Sequence, residues 1–519
     1  MNLLLFLALV TTLVTDTWSL PLNNLIHKPP SNSSRKHSIK RRQFPPDFKF
    51  GASISAYQHE GATWVDGRRP STWDAFSHAH PDRIRGRTNG DVATDSYHLY
   101  KDDISLAKQL GLDTFRFSLS WSRILPYGKL SGGINQKGID HYNNVIDEVL
   151  AQGLTPFLSL VHLDYPQILE DEYSGFLSTR MVDDFRDYAD ICFKAFGDRI
   201  KYWVTINEPR TLILGGYDVG DMAPGHCTSL SNWTCDAGNS STEPYIVAHN
   251  QLLAHAAAVQ LYRQKYQATQ KGIIGISMNA DWIIPYSSSK GDIQAAKRAL
   301  DFTFGWFMDP IYKGDYPENM KRYVGDRLPR FSKQESTLLK GSYDFLGINY
   351  YTTQYALDRV DYSDPRHPNG YDAHVQLSFV RNGQVIGPQT VTLWMTIYPR
   401  GLYNLLLYIK DTYQNPLVYI TENGLPDSGN YTHSPLEAPP DDESRISYLQ
   451  DHLISLRRAM KKGANVKGYM VWSLLDGYEW TGGYEWKFGL YYVDHFKAPS
   501  IRIPKMSAIW FRKFLKRIN

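Results

Sequence analysis

Eight short apolar runs recur between residues 48 and 473, and helical patterns fill the gaps between them. The runs are FKFGAS (48–53), DTFRFSLS (113–120), TPFLSLVH (155–162), YWVTINE (202–208), IIGISMN (273–279), DFLGINYY (344–351), LVYITE (417–422) and VKGYMVWS (466–473). Between two of them, KGIDHYNNVIDEVLAQG (137–153) puts Ile139, Tyr142, Ile146 and Val149 on one helical face and stops at a glycine. STRMVDDFRDYADICFKAFG (178–197) starts on an N-cap serine, Ser178, and gathers Val182, Phe185, Ala189, Cys192, Phe193 and Phe196. TDSYHLYKDDISLAKQLG (94–111) ends on a glycine in the same way. Strands alternating eight times with helices are the pattern of a single (β/α)8 barrel, an α/β fold. A chain of 519 residues would otherwise suggest several domains, but barrels of this kind exceed that rule.

In such a barrel the active site forms at the C-terminal ends of the strands. Those ends carry Gln58 just past strand one, Arg116 and Trp121 around strand two, His162 on three, and Asn207 with Glu208 on four. Asn279 ends strand five, Asn349 and Tyr351 six, Glu422 seven, and Trp472 with nearby Glu479 eight. One polar tip is ordinarily solvated, and His162, Gln58 or Trp472 alone would read as core or capping residues. Eight tips together converge on one cavity.

Two carboxylates from separate strands, Glu208 and Glu422, are the equipment for glycosidic bond cleavage: a protonated one for the leaving oxygen and an ionised one for the anomeric carbon. Amides and His162 can bond sugar hydroxyls, and Trp472 offers a flat face to the ring. No nucleotide loop, nucleophile elbow or His/Cys cluster with metal-ligand spacing occurs, so neither cofactor nor metal is expected.

The ends of the chain frame this barrel. Residues 1–19 hold an apolar run ending in Thr17-Trp18-Ser19 and read as a signal peptide, although no Lys or Arg precedes the run. Residues 20–43 are polar and basic, with five Lys or Arg in 34–43, and are expected to be flexible; 44–519 is the barrel. The net charge of +3 therefore resides in that segment, and nucleic-acid binding is not expected. No other apolar stretch is long enough for a membrane span. Cys227 and Cys235 flank a short loop and are expected to pair, while Cys192 reads as a buried free thiol. Sequons at Asn32, Asn232, Asn239 and Asn430 fit a secretory route ending outside the cell, in the vacuole or in an ER-derived body. A homo-oligomer is left open.

FKFGASISAYQHEGA (48–62), TINEP (205–209), ITENG (420–424) and GLYYVD together carry a resemblance to glycoside hydrolase family 1, and especially to its plant β-glucosidases, over about residues 44–515. The resemblance implies that Glu422 is the nucleophile and Glu208 the acid/base of a retaining hydrolysis, with carboxyls about 5–5.5 Å apart. It implies that Gln58, His162, Asn207, Glu479 and Trp480 hold the sugar hydroxyls, with Asn349 beside them. Trp472 would floor the sugar site, Arg116 and Tyr351 would keep Glu422 ionised, and Trp394 would line the aglycone entrance. The substrate implied is a small-molecule O-linked β-glucoside. Plant myrosinases carry glutamine in place of the acid/base glutamate, which TINEP retains, and Glu479 in LLDGYEW would repel a 6-phosphate. The alternative is an acyl-glucose- or glucoside-dependent transglucosidase; a non-catalytic sugar-binding protein would be expected to have lost a carboxylate. This chain departs from the family at Leu163 (usually Trp), in DGYEW (usually DNFEW) and at Lys487 (usually Arg).

Overall fold

The computed structural model describes residues 39–228, 235–359, 372–431, 433–495 and 500–516. Eight strands close into a barrel: β1 Lys49–Ser53, β2 Thr114–Ser118, β3 Thr155–Val161, β4 Tyr202–Asn207, β5 Ile273–Asn279, β6 Phe345–Asn349, β7 Val418–Asn423 and β8 Val466–Trp472. Each strand pairs in parallel with its sequence neighbours, and β1 closes the ring against β8 through Lys49–Gly468 to Ser53–Trp472. The eight apolar runs are these eight strands, displaced by a residue or two at their ends.

Parallel neighbours require crossovers, and helices supply them. They include α1 Ser96–Leu110, α2 Gln136–Ala151, α3 Arg180–Phe196, α4 Glu243–Leu261, α5 Trp306–Lys313, α6 Pro399–Thr412, α7 Glu443–Lys461 and α8 Met506–Leu515. The expected faces are the buried ones: Ile139, Tyr142, Ile146 and Val149 on α2, and Phe185, Ala189, Cys192, Phe193 and Phe196 on α3, with Val182 only half-buried against the same core. Gly111 ends α1 at φ +84°, a left-handed cap that costs glycine little. At the start of α3 the serine acts from outside the helix: Ser178 is extended, and its hydroxyl accepts the Arg180 amide at 3.3 Å.

The lower end of the barrel is filled by Phe157, Val204, Phe345, Tyr419 and Met470, one residue from each of five strands. Above them space tightens around glycine: a Cβ on Gly347 of β6 would stand 2.2 Å from Ser277 Oγ and 2.9 Å from Thr421 Oγ1.

Two expectations change. The folded body begins at Ile39, before residue 44, because Ile39 and Arg41 are buried; Arg41 bonds Phe48 O at 2.9 Å and Asp113 at 3.0 Å and covers the Phe50 ring. Trp121 is core rather than rim: its indole donates to Gly128 O and stacks on Tyr188 at 4.7 Å. Asn279 ends β5, as expected, and is half-buried there. The segment 1–38, with Asn32, and Asn232 lie outside the described residues.

Candidate active site

Glu208 closes β4 with its backbone in the left-handed region, φ +47°. Its amide donates to Ser277 O at 2.8 Å, and helix Pro209–Ile213 starts immediately after it. One carboxyl oxygen accepts from Asn349 Nδ2 at 2.9 Å and the other from Thr211 Oγ1 at 2.7 Å. Burial first, and then the negative charge of Glu422, push this carboxyl up to about 7.

Glu422, on β7, is held differently. Arg116 Nη1 donates to Oε1 at 2.7 Å and Tyr351 Oη to Oε2 at 2.8 Å. Burial raises its carboxyl above the ordinary range, while the Arg116 charge and the hydrogen bonds from Arg116 and Tyr351 oppose that rise. The two partners thus counter burial without taking the group below its usual value. Arg116 reaches further: Nη2 donates to Asn207 Oδ1 at 2.7 Å, so one guanidinium links β2, β4 and β7.

Around this pair the remaining tips interlock. Asn207 Nδ2 donates to His162 Nε2 at 3.1 Å, and burial followed by the Arg116 charge drives the imidazole well down, keeping it neutral. Asn349 is pinned by Thr421 Oγ1, which donates to its Oδ1 at 2.6 Å. Gln58 lies on the turn Ala56–Glu60 and donates to Glu479 at 3.2 Å; Trp472 Nε1 reaches the same oxygen at 3.4 Å. His162 stacks on Trp472 at 5.5 Å and on Trp480 at 6.0 Å, making a flat aromatic wall. Burial, joined by repulsion from Glu422 and Glu208, lifts the Glu479 carboxyl well above its ordinary value. It is therefore held toward the neutral acid here, which opposes the charge the sequence reading gave it. Trp394 is 42% exposed and meets Tyr351 edge-on at 5.8 Å, at the outer margin of the site.

The glycosyl hydrolase family 1 profile matches residues 40–519. The chain is 53% identical to Beta-glucosidase 11 of Oryza sativa subsp. japonica, over 93% of this chain and 90% of the relative. It is 51% identical to Raucaffricine-O-beta-D-glucosidase of Rauvolfia serpentina, over 93% of each. Among solved structures, a rice beta-glucosidase, Os3BGlu6, is 47% identical with a TM-score of 0.89, covering 92% of this chain and all of that one. The chain belongs to glycosyl hydrolase family 1.

Of its departures within that family, the glycine of DGYEW has a local explanation, and nothing in the structure explains Leu163 or Lys487. At Gly477 of DGYEW, a Cβ would stand 2.6 Å from His59 Nε2, so the buried His59 occupies room that a side chain there would need. Leu163 is buried at φ +69°, and the Asp164 carboxylate accepts the His162 amide at 3.1 Å across that turn. Lys487 contributes its carbonyl, which accepts from Arg445 at 2.5 Å, while its ammonium lies 5.2 Å from the Tyr492 ring. Two site contacts escaped the sequence reading. Thr211, three residues after Glu208 in a helix, could have been found from that spacing; Thr421, beside Glu422, gave no signal of its own. Cys227 and Cys235 form the expected disulfide, and Cys192 is a buried free thiol. Among the described residues no helix is long and apolar enough to cross a membrane.

Proposed function

We propose that this glycoside hydrolase is a β-glucosidase that cleaves the O-linked β-D-glucoside of a plant specialised metabolite in two displacements with retention. The observation that carries the reading is the asymmetry of the carboxyl pair. Glu422 is gripped through both oxygens by Arg116 and Tyr351, whose contacts favour its anion, and that anion helps raise Glu208 to about 7. One group is thus prepared to attack and the other to donate a proton near neutrality.

In the first displacement a Glu422 oxygen attacks the anomeric carbon as Glu208 protonates the departing aglycone oxygen. In the second, Glu208, now ionised, takes a proton from water, which attacks the same carbon and releases Glu422. Gln58, His162, Asn207, Glu479 and Trp480 would hold the glucose hydroxyls over the Trp472 face, and Trp394 would meet the aglycone. The relatives named beta-glucosidase support the substrate class, and a mutant of the rice Os3BGlu6 enzyme is known in a covalent complex with Glc. The disulfide and the exposed sequon residues Asn239 and Asn430 support a secretory route, with residues 1–19 as the signal peptide.

The test is hydrolysis of p-nitrophenyl β-D-glucoside with the first-formed sugar followed by NMR. Initial β-glucose from the wild type and no turnover by Glu422→Gln are expected. Initial α-glucose, or inactivity on aryl and natural β-glucosides alike, would overturn the reading.

A further inference from the structure

The segments that follow β7 and β8 continue from Glu422 and from Trp472, and the second also carries Glu479 and Trp480. They meet over a buried group of charges. Asp427 lies five residues after Glu422, and Asp476 lies between Trp472 and Glu479. Lys505, at the start of α8, is fully buried, and its ammonium donates to Asp427 at 2.9 Å and to Asp476 at 2.8 Å. One side chain from the C-terminal segment thus bonds both segments at once.

The rest of the group fixes the geometry. Arg445 on α7 donates to Asp427 at 2.5 Å, to Leu425 O at 2.9 Å, and to Asp442. Asp442 accepts the Ser507 amide at 2.7 Å, which anchors the first turn of α8. Asp476 also accepts the Gly489 amide at 2.8 Å, and the backbones of Asp427 and Lys487 exchange a pair of 3.0 Å hydrogen bonds. Burial alone would raise the Asp427 carboxyl; the Lys505 and Arg445 charges overcome it and hold that group well below its ordinary range. Lys505 and Arg445 each pair with two carboxylates here, so removal of either cation leaves buried negative charge less well compensated.

We propose that Lys505 is a positioning residue for the sugar site: by joining Asp427 to Asp476 it sets where Glu479 stands relative to Glu422. The inference rests on the β-glucosidase reading, in which Glu479 binds the glucose hydroxyls. Glu479 is only three residues from Asp476, and its carboxyl must meet both Gln58 Nε2 and Trp472 Nε1. A shift of the Asp476 turn would be carried directly to that carboxyl, and small misplacements of binding groups are costly to catalysis.

The test is a cycle of Lys505→Met, Glu479→Gln and the double variant, with kinetics scaled to active sites counted by a trapping 2-deoxy-2-fluoroglucoside. Lys505→Met is expected to raise KM for p-nitrophenyl β-D-glucoside about tenfold to a hundredfold, with a smaller change in kcat. The double variant is expected to lose nothing beyond Glu479→Gln. Wild-type kinetics per active site in Lys505→Met, or losses that multiply in the double variant, would leave Lys505 a purely structural role and overturn the proposal. A crystal structure of Lys505→Met reads the position without any substrate: the Glu479–Trp472 contact is expected to be broken, and an unchanged contact overturns the proposal. If Lys505→Met does not fold, Asp476→Asn removes one charge at equal volume and enters the same cycle and the same structural comparison. Failure of the wild type to hydrolyse any glucoside strikes the function reading instead, and the crystal structure still decides the placement of Glu479.

Discussion

Glu208 and Leu163 both adopt left-handed backbone conformations next to the site, and so does Trp480 at φ +53°. Each such residue stores strain on the order of 1–3 kcal/mol, which the surrounding hydrogen bonds must hold in place. From this conformation the Glu208 carboxyl meets Asn349 and Thr211. With the Glu208 carboxyl raised to about 7, kcat/KM on an aryl glucoside is expected to fall as pH rises through about 7, because the acid is lost by deprotonation. Glu208→Gln should lose that alkaline limb and be slowed by about 10²–10⁴-fold on poor leaving groups, as rate profiles across pH will show. Arg116→Gln should move the acidic limb to higher pH, since the charge that opposes the rise of Glu422 is gone. At this scale the sequence was informative wherever a residue type is rare at a strand tip. Glu208, Glu422, His162 and Gln58 all fall where the tips placed them. It was misleading for Trp121, whose aromatic character suits a core and a sugar platform equally well. The neutral tendency of Glu479 could not be read at all, because it depends on burial beside two other carboxyls.

Elements are tied together by contacts that local sequence patterns do not reveal. His226 lies between Glu170 and Glu243, with ring nitrogens 3.2 Å and 3.0 Å from their carboxylates, and so joins the segment after β3 to the start of α4. Burial alone would lower its imidazole, but the two carboxylates prevail and raise it from 6.5 to about 9. A cation stabilised this way contributes its full share below the ordinary imidazole value, and that share is lost as pH rises through about 9. Thermal unfolding of His226→Gln should therefore fall furthest below wild type at pH 6, with the gap closing by about pH 9.5. The Cys227–Cys235 bridge spans eight positions, so its loss should cost about 2–3 kcal/mol, measured by denaturant unfolding of Cys227→Ser. Strand and helix positions were legible because apolar periodicity survives in a single sequence. The linkage of Lys505 to Asp427 and Asp476 joins positions far apart in the chain, and no periodicity marks it.

Across the whole molecule, ring closure makes every tip depend on its neighbours. The five apolar side chains at the lower end of the barrel come from β3, β4, β6, β7 and β8, so a cavity there loosens strands that carry both carboxyls. Phe345→Ala is expected to lower stability by about 3–5 kcal/mol and to reduce activity with it, as unfolding and kinetics measured together will show. The barrel was legible because eight repeats reinforce one another, whereas the folded start at Ile39 was hidden by the basic residues around it. Arg41 is buried through a partner, Asp113, that only the fold supplies. The central claim is that Glu422 forms a bond to the sugar while Glu208 handles protons. It is tested most directly by Glu208→Gln acting on 2,4-dinitrophenyl β-D-glucoside in azide. That leaving group needs little acid and azide needs no base, so restored turnover with β-glucosyl azide as product is expected. An α-glucosyl azide, or no rescue while the variant remains folded, would contradict the assignment.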